Sequence, residues 1–307
     1  MNTRIQLFLV SYALIGVLAV GGGVLLPAAA ATLAPYTALL LGMIFFLSAL
    51  SIDVRHILVC LRDVKMVVTV VVCMLFLFAA ATFALTQWLA PAFTVAFVLL
   101  AAMPVGMTAP LLATISGGRP ELALTLAVTT SLLAPFTIPL IIYVFLGAEV
   151  SVSFWSMFVD LATIIFIPFV LAQLVSRFLQ PVIGPITPAI TPLSLLFLGL
   201  LITGVIGQQV LALAGFSLAV ITPSLLGVLA LLLVFHLVGF WLVFWRTVAD
   251  RVTISVCLTY MNFSLAIYLA SEFFADPAVT LTLVVAIIPW VLLLPVFRLL
   301  TIRFLHT

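Results

Sequence analysis

The lysine and arginine residues of this chain occur only in short gaps between long apolar stretches. All ten lie in every second gap: Arg4; Arg55, Arg62 and Lys65; Arg119; Arg177; Arg246 and Arg251; Arg298 and Arg303. Lys and Arg stay on the cytoplasmic side when a membrane protein inserts, so this alternation predicts a multi-pass protein with both termini in the cytoplasm. We expect it in a plasma membrane, the inner membrane of a bacterium.

Composition also indicates a protein that uses the lipid bilayer as its solvent. Of its 307 residues, 67% are hydrophobic and only 6% are charged, too few to cover a soluble globule with polar surface. The net charge of +2 comes mostly from the basic gaps and gives no reason to expect nucleic acid as a partner. The three cysteines, Cys60, Cys73 and Cys257, lack metal-ligand spacing, so we expect no metal or cofactor.

The apolar stretches predict ten membrane spans. The first could instead be a signal peptide, but its run from Ile5 to Leu26 is about 22 residues, longer than the roughly 15 of a signal core and enough to cross a bilayer. Between the second and third spans, Ser51 to Lys65 predicts a short amphipathic helix on the cytoplasmic face. The predicted spans are 5–26, 33–51, 66–88, 92–116, 121–146, 152–176, 189–210, 217–244, 251–274 and 278–300.

Ten spans divide into two halves of five, residues 1–148 and 149–307, with a pivot at Ala148 to Val150. Because five is odd, the second half would enter the membrane from the opposite side, as in the inverted repeats of many secondary transporters. The predicted fold is therefore an all-α integral membrane protein built from two inverted five-helix repeats.

Two spans in matching positions, the fourth and the ninth, contain residues that disfavour a continuous helix. In the fourth span, the run from Met103 to Pro110 contains two prolines and a glycine, and each proline removes a backbone donor. The ninth contains Thr259 to Ser264, including Asn262, the only Asn placed inside a span. Both helices are predicted to be discontinuous and to cross at mid-membrane, because irregular backbone there needs protein or a cavity to satisfy it. A simple proline kink in a packed fourth helix is the alternative.

Crossing broken helices would direct the partial positive charge of their amino-terminal ends at one point. Such a point suits an anionic group on a small organic solute, such as a carboxylate. The predicted solute contacts are Met107, Thr108, Ala109, Asn262, Phe263 and Ser264, with Thr129 and Thr130 as secondary candidates. Asn262 would be the polar anchor.

At these residues the chain resembles the bile acid:sodium symporter family, within the bile/arsenite/riboflavin transporter superfamily. The similarity is sharpest from Pro104 through Gly117-Gly118 to the Leu-Ala-Pro-Phe-Thr-Ile-Pro stretch ending at Pro139, and again at Asn262-Phe263-Ser264-Leu265-Ala266. The resemblance implies a crossover-containing core and a smaller panel of helices that exchange access to the solute.

The same resemblance implies that the family's sodium ligands are missing. Sodium prefers hard oxygen ligands, and the residues at the corresponding positions have none in their side chains. Coupling through backbone carbonyls stays an alternative, as do uniport and exchange. The positions are Ala109, Pro110, Ala123, Ala127, Cys257 and Met261, and the family's Gly-Asp turn reads Gly118-Arg119.

Proton coupling would need an ionisable group deep in a span. Asp160, ~12 Å from the outer end of its span, and His236, ~15 Å from the inner side, are the candidates. Ionisable groups at such depth are costly and usually face a cavity or a partner, and both types can exchange protons near neutral pH when buried. A fixed hydrogen bond to a neighbouring helix is the alternative for each. Protons are therefore preferred to sodium as the coupling ion.

Two other classes of function remain to be weighed. An enzyme would need a nucleophile with a base, or a metal cluster, and the chain has no Gly-x-Ser-x-Gly elbow and no His-Glu-x-x-His. We therefore expect a secondary transporter rather than an enzyme. A non-transporting sensor or structural membrane protein is the other alternative, favoured if the centre is dry and closed.

Overall fold

The structure is a computed structural model that describes residues 3–50, 64–147, 153–178, 180–213 and 218–305. Most of the predicted cytoplasmic helix from Ser51 to Lys65 lies outside the described residues, and so does the whole predicted pivot at Ala148 to Val150.

The described chain is helical almost throughout. Long helices form because each satisfies its own backbone hydrogen bonds, which a bilayer requires. In chain order the helices are α1 Thr3–Leu25, α2 Pro27–Leu50, α3 Val64–Leu89, α4 Pro91–Ala101, α5 Ala109–Ser116, α6 Pro120–Leu146, α7 Phe154–Phe178, α8 Gln180–Leu213, α9 Leu218–Leu242, α10 Val248–Thr259, α11 Phe263–Phe273, α12 Pro277–Val285 and α13 Ile287–Leu305.

The helices agree in position with the predicted spans and identify an integral multi-pass membrane protein. Seven segments of the described chain are long and apolar enough to cross a bilayer, in α2, α3, α6, α7, α8, α9 and the α12–α13 pair. Shorter apolar helices occupy the places of the first, fourth and ninth spans. The count of ten and the inverted repeat stay predictions.

Two groups of contacting helices position the site, and they also pack against each other where α6 meets α7. In the first group, α1 and α2 lie against α8, and α2 also contacts α7. Glycines allow this close approach: a Cβ at Gly207 of α8 would lie 2.5 Å from the Cβ of Ala30 in α2. In the second group, α10 packs against α5, α6 and α9, and α3 lies against α4.

Candidate solute-binding cavity

Both predicted helix breaks are present. After α4 ends at Ala101, residues 102–108 are irregular until α5 begins at Ala109, with Pro110 in the first turn of α5. After α10 ends at Thr259, residues 260–262 are irregular until α11 begins at Phe263. The fourth helix is thus broken rather than merely kinked.

The two breaks cross and pair backbone to backbone. The Gly106 amide donates to the Tyr260 carbonyl at 2.9 Å, and the Asn262 amide donates to the Pro104 carbonyl at 2.8 Å. Val105 and Met261 thereby form an isolated antiparallel bridge. The bridge satisfies unwound backbone without water, as required inside a membrane.

Gly106 is essential to this close approach because a side chain there has no space. An added Cβ would lie 2.7 Å from the Tyr260 oxygen and 2.9 Å from the Met261 oxygen, both of them backbone atoms. The need for glycine here comes from the opposing backbone, since Gly117 is the residue with a positive φ among the described glycines.

Thr130 supports the crossing from α6. Its hydroxyl oxygen accepts a hydrogen bond from the Val105 amide at 3.0 Å and donates to the Leu126 carbonyl at 2.7 Å. The side chain is fully buried. The structure thus shows Thr130 bound to the broken backbone, and its secondary assignment as a solute contact has no support from the cavity described next.

A cavity of about 340 Å³ lies beside the crossing, between the breaks and the helices α1, α2 and α8. This volume is near the lower end of the range of small-molecule sites. Five of the predicted solute contacts line it: Met107, Thr108, Asn262, Phe263 and Ser264. The other three, Ala109, Thr129 and Thr130, are not among its lining residues.

The amino-terminal ends of α5 and α11 both reach the cavity, so their partial positive charges add there. The two ends differ in capping. The Asn262 side-chain oxygen accepts the Leu265 amide at 3.1 Å, whereas the Thr108 side chain makes no capping bond at the start of α5. The side-chain NH2 of Asn262 remains as the donor that this residue can offer to a solute. No charged side chain lines the cavity among the described residues.

The residues that line the cavity differ in exposure between its two ends. Towards the ends of α8 and α11 nearer the cation-free gaps, it is bounded by Ile202 and Ile267, which are 1% and 0% exposed. At the opposite end Leu111 of α5 is 40% exposed, and Thr191 of α8 is also exposed. Because α5 leads directly into the gap that contains Arg119, the more exposed end lies on the side of the basic gaps.

The positions that correspond to the family's sodium ligands are apolar, and all but Pro110 are buried. Ala109, Ala123, Ala127 and Cys257 are fully buried, and Met261 is 4% exposed. None of these side chains has an oxygen atom, and Pro110 at the cavity wall has none either. The described residues contain no group of three or more His, Cys, Asp or Glu side chains that could hold a metal ion.

The two proton-coupling candidates lie apart. His236 is 5% exposed, its ring stacks on Phe297 at 4.1 Å, and its Nδ1 lies 3.0 Å from the Ser255 hydroxyl oxygen. Asp160 is half-buried, and it and Glu272 both interact electrostatically with Tyr268. Neither candidate lines the cavity, and no bond between Asp160 and His236 is present in the described part of the chain.

His236 is nevertheless connected to the cavity through aromatic side chains. Its ring lies edge-on to Tyr260 at 5.4 Å, and Tyr260 lies edge-on to Trp290 at 5.2 Å. Trp290 lines the cavity, and the Tyr260 carbonyl accepts the Gly106 amide at the crossing. Tyr260 is thus the one residue that lies between the His236 ring and both the crossing and Trp290.

Sequence reasoning missed Asp250, which ties the two broken segments together on the side of the basic gaps. Its buried carboxylate accepts hydrogen bonds from Arg119 at 3.0 Å and Arg246 at 3.1 Å. The Arg119 amide also donates to the Thr253 hydroxyl at 2.7 Å. A local signal was available, because Thr247 and Asp250 have capping-box spacing and the Thr247 hydroxyl accepts the Asp250 amide.

Comparison with known proteins agrees with the resemblance seen in the sequence. The profile of the SBF-like CPA transporter family matches residues 7–304, nearly the whole chain. No curated protein matches the chain. The chain therefore belongs to the SBF-like CPA transporter family, a bile acid:sodium symporter-type family of transporters and not of enzymes.

Proposed function

We propose that this member of the SBF-like CPA transporter family is a secondary carrier that moves a small organic anion by alternating access. The observation that carries the proposal is the cavity at the crossing, which receives the amino-terminal ends of α5 and α11 and has no charged residue in its described lining. A carboxylate in this cavity would meet the helix ends, the Thr108 and Ser264 hydroxyls and the Asn262 NH2 group.

We take the less exposed end of the cavity as closed and the more exposed end as open, and an opening on one side supports alternating access. The closed end is made by α11 packing against α2 and α8, while the open end lies beside α5. If the basic gaps are cytoplasmic, this conformation is open inwards, and both termini are cytoplasmic. An outward-open conformation would then separate α11 from α2 and α8 and close α5 against the same group.

We propose further that transport does not use the family-type sodium sites. Removing a sodium ion from water is favourable only when oxygen ligands replace its hydration shell. The corresponding positions are buried methyl and sulfur groups, together with the half-buried Pro110 at the cavity wall. The nearby Thr130 hydroxyl already makes one bond as acceptor and one as donor, so it is a poor substitute.

We propose instead that transport is coupled to protons, through Asp160 or His236. His236 reaches the crossing through Tyr260, whereas Asp160 lies in α7 near Tyr268 of α11, which moves relative to α2 and α8 in the mechanism above. Protonation of Asp160 would change a contact of α11, which is the helix that moves in this mechanism.

The experiment is counterflow of a panel of labelled organic acids in proteoliposomes, with and without sodium and with and without a pH gradient. We expect sodium-independent uptake that responds to pH and is lost in Asp160→Asn or His236→Asn, but not in the control Ser271→Ala, whose hydroxyl lies outside the cavity. Uptake driven by a sodium gradient would overturn the coupling proposal. Absence of transport for every acid would favour a sensor or structural role.

A further inference from the structure

His236 of α9 and Ser255 of α10 are joined by two hydrogen-bonding contacts outside the cavity. The His236 Nδ1 atom lies 3.0 Å from the Ser255 hydroxyl oxygen, and the same hydroxyl lies 2.8 Å from the His236 carbonyl oxygen. Both residues are buried. The two helices approach closely here, because a Cβ at Gly239 would lie only 2.7 Å from the Ser255 Cα. Packing therefore holds this pair in place together with its bonds.

The two contacts of the Ser255 hydroxyl determine which ring nitrogen of His236 carries the proton. A carbonyl oxygen cannot donate, so the single hydroxyl hydrogen of Ser255 is donated to the His236 carbonyl. The hydroxyl oxygen is then left as an acceptor, and Nδ1 must be the donor to it. A neutral imidazole has one N–H, so Nε2 keeps an unprotonated lone pair. Neutral His236 is therefore in the Nδ1–H tautomer.

The Nε2 atom is the part of the His236 ring that is open to a change of protonation. It is buried and makes no hydrogen bond to any group in the described part of the chain. Phe297 of α13 stacks on the ring at 4.1 Å, and Tyr260 lies edge-on to it at 5.4 Å. The face of a phenyl ring attracts a cation within about 6 Å, so Phe297 would offset part of the cost of a buried charge on this ring.

Other titratable groups belong to the elements packed against α9, and among the described residues Tyr260 is the one in ring contact with His236. Asp250, the carboxylate of this set, is bonded to two arginines instead. A proton on Nε2 would therefore add a positive charge that has no carboxylate partner. The set comprises Lys65 and Cys73 of α3, Asp250, Arg251 and Cys257 of α10, Tyr260, and Arg298 and Arg303 of α13, while α4 and α12 contain no such residue.

We propose that Ser255 is a positioning residue for proton coupling at His236. By accepting the Nδ1 proton, it leaves Nε2 as the atom that takes up and releases the coupled proton. In the uptake step a proton from water adds to the Nε2 lone pair, and the imidazole becomes an imidazolium with an N–H on each nitrogen. Because Nε2 is buried in this conformation, its exchange with water needs a second conformation, as coupled transport requires. This inference rests on the proposed function and names the atom that would carry the proton.

The first test is ¹⁵N NMR of the full chain in lipid nanodiscs, with histidine as the labelled residue. The variant His236→Asn identifies the His236 signals among those of the three histidines. At alkaline pH we expect the proton on Nδ1, and acidification should convert the Nε2 signal to that of a protonated nitrogen. Ser255→Ala should make Nε2–H the main neutral form, as in free histidine. Ser224→Ala is the control, because it removes a buried hydroxyl of α9 that contacts Thr282, and it should keep the wild-type tautomer.

A second pair of variants tests the same bond even if Ser255→Ala does not fold. Asn has its NH2 group on Cγ, as His has Nδ1, whereas the NH2 group of Gln lies one bond further along the side chain. His236→Asn can therefore keep the donor to Ser255, and His236→Gln cannot keep it at that position. We expect His236→Asn to have the higher midpoint of thermal unfolding, by about 2–6 °C, because His236→Gln leaves a buried group without its partner.

The outcomes distinguish this inference from the proposed function. A neutral wild-type ring protonated on Nε2, or a tautomer that Ser255→Ala leaves unchanged, would overturn the positioning role of Ser255. A midpoint for His236→Gln that equals or exceeds that of His236→Asn would overturn it as well. If Nε2 stays unprotonated at every pH at which the protein is folded, this atom does not take up the proton. Counterflow that does not respond to pH would instead overturn the proton coupling of the proposed function, and the tautomer of His236 would stand.

Discussion

Replacing Gly106 by alanine tests whether the backbone pairing at the crossing holds the two broken spans together. The new Cβ would lie 2.7 Å from the Tyr260 oxygen, so the segments must separate by about 0.7 Å to reach an ordinary contact of 3.4 Å. That shift lengthens the crossing bonds, now 2.9 and 2.8 Å, to about the limit of hydrogen bonding near 3.5 Å.

The expected cost follows from the two buried donors, the Gly106 and Asn262 amides. Leaving a buried donor unsatisfied costs about 1–3 kcal/mol, so loss of both bonds lowers the free energy of unfolding by about 2–6 kcal/mol. At about 2 °C per kcal/mol for a chain of this size, the midpoint of thermal unfolding should fall by about 4–12 °C. Solute binding should fall too, because Asn262 and Ser264 follow the bridge directly.

The assay is thermal unfolding in detergent or nanodiscs, paired with solute binding, and Gly21→Ala is the matched control. A Cβ at Gly21 would find no atom within 4 Å, and alanine is the better helix former there by up to about 1 kcal/mol. The midpoint of thermal unfolding of Gly21→Ala should therefore equal or slightly exceed that of the wild type. If Gly106→Ala unfolds within about 1 °C of the wild type and binds solute normally, our reasoning about the crossing is refuted.

Three further predictions concern single hydrogen-bonding groups. Thr130→Val should lower the free energy of unfolding by about 1–3 kcal/mol, because the Val105 amide loses its acceptor. Thr130→Ser keeps a hydroxyl and should have the stability of the wild type. Unfolding curves that do not separate the two variants would contradict this role of the hydroxyl. Asn262→Asp should keep the cap on Leu265, and the ionised carboxylate should weaken anion binding about 100-fold. Like charges ~6 Å apart at an effective dielectric of ~20 repel by ~2.8 kcal/mol. If calorimetry shows that this variant binds the anion as tightly as the wild type does, the anion does not bind at the crossing. Asp250→Asn should destabilise the protein by about 1–3 kcal/mol, because the buried carboxylate is bonded to both Arg119 and Arg246. Arg119→Gln should destabilise it less, because Arg119 is half exposed. Chemical denaturation of the two variants measures the difference.

The positions of the helices were predictable because each membrane helix depends on the residues of its own segment. Each apolar run satisfies its own backbone and meets lipid on its outer face, so its length and flanking charges are enough to locate it. The breaks were predictable for the same reason, since Pro104 and Pro110 lack donors wherever the helix packs. The family resemblance rested on these same stretches and was confirmed by the match over residues 7–304.

The identities of the contacting partners were not predictable in the same way. Thr130 was proposed as a solute contact, but only the packing of α6 against the crossing shows that its hydroxyl binds the Val105 amide. Asp250 was not singled out from the sequence, because its partner Arg119 lies 131 residues away in the chain. Ser255 gave no periodic signal, and it became notable when the structure brought its hydroxyl to the Nδ1 atom and the carbonyl of His236.

By itself, the sequence determined that this is a multi-pass helical membrane protein. It also located the breaks in two of the helices and indicated which transporter family the chain resembles. These features depend on residues close together in the chain, whose hydrophobicity and backbone chemistry act locally. The tertiary structure alone decided that the breaks pair through Val105 and Met261, that a cavity with no charged side chain in its described lining adjoins them, and which hydroxyls face it. Those features arise from contacts between helices far apart in sequence, which form only when the helices pack.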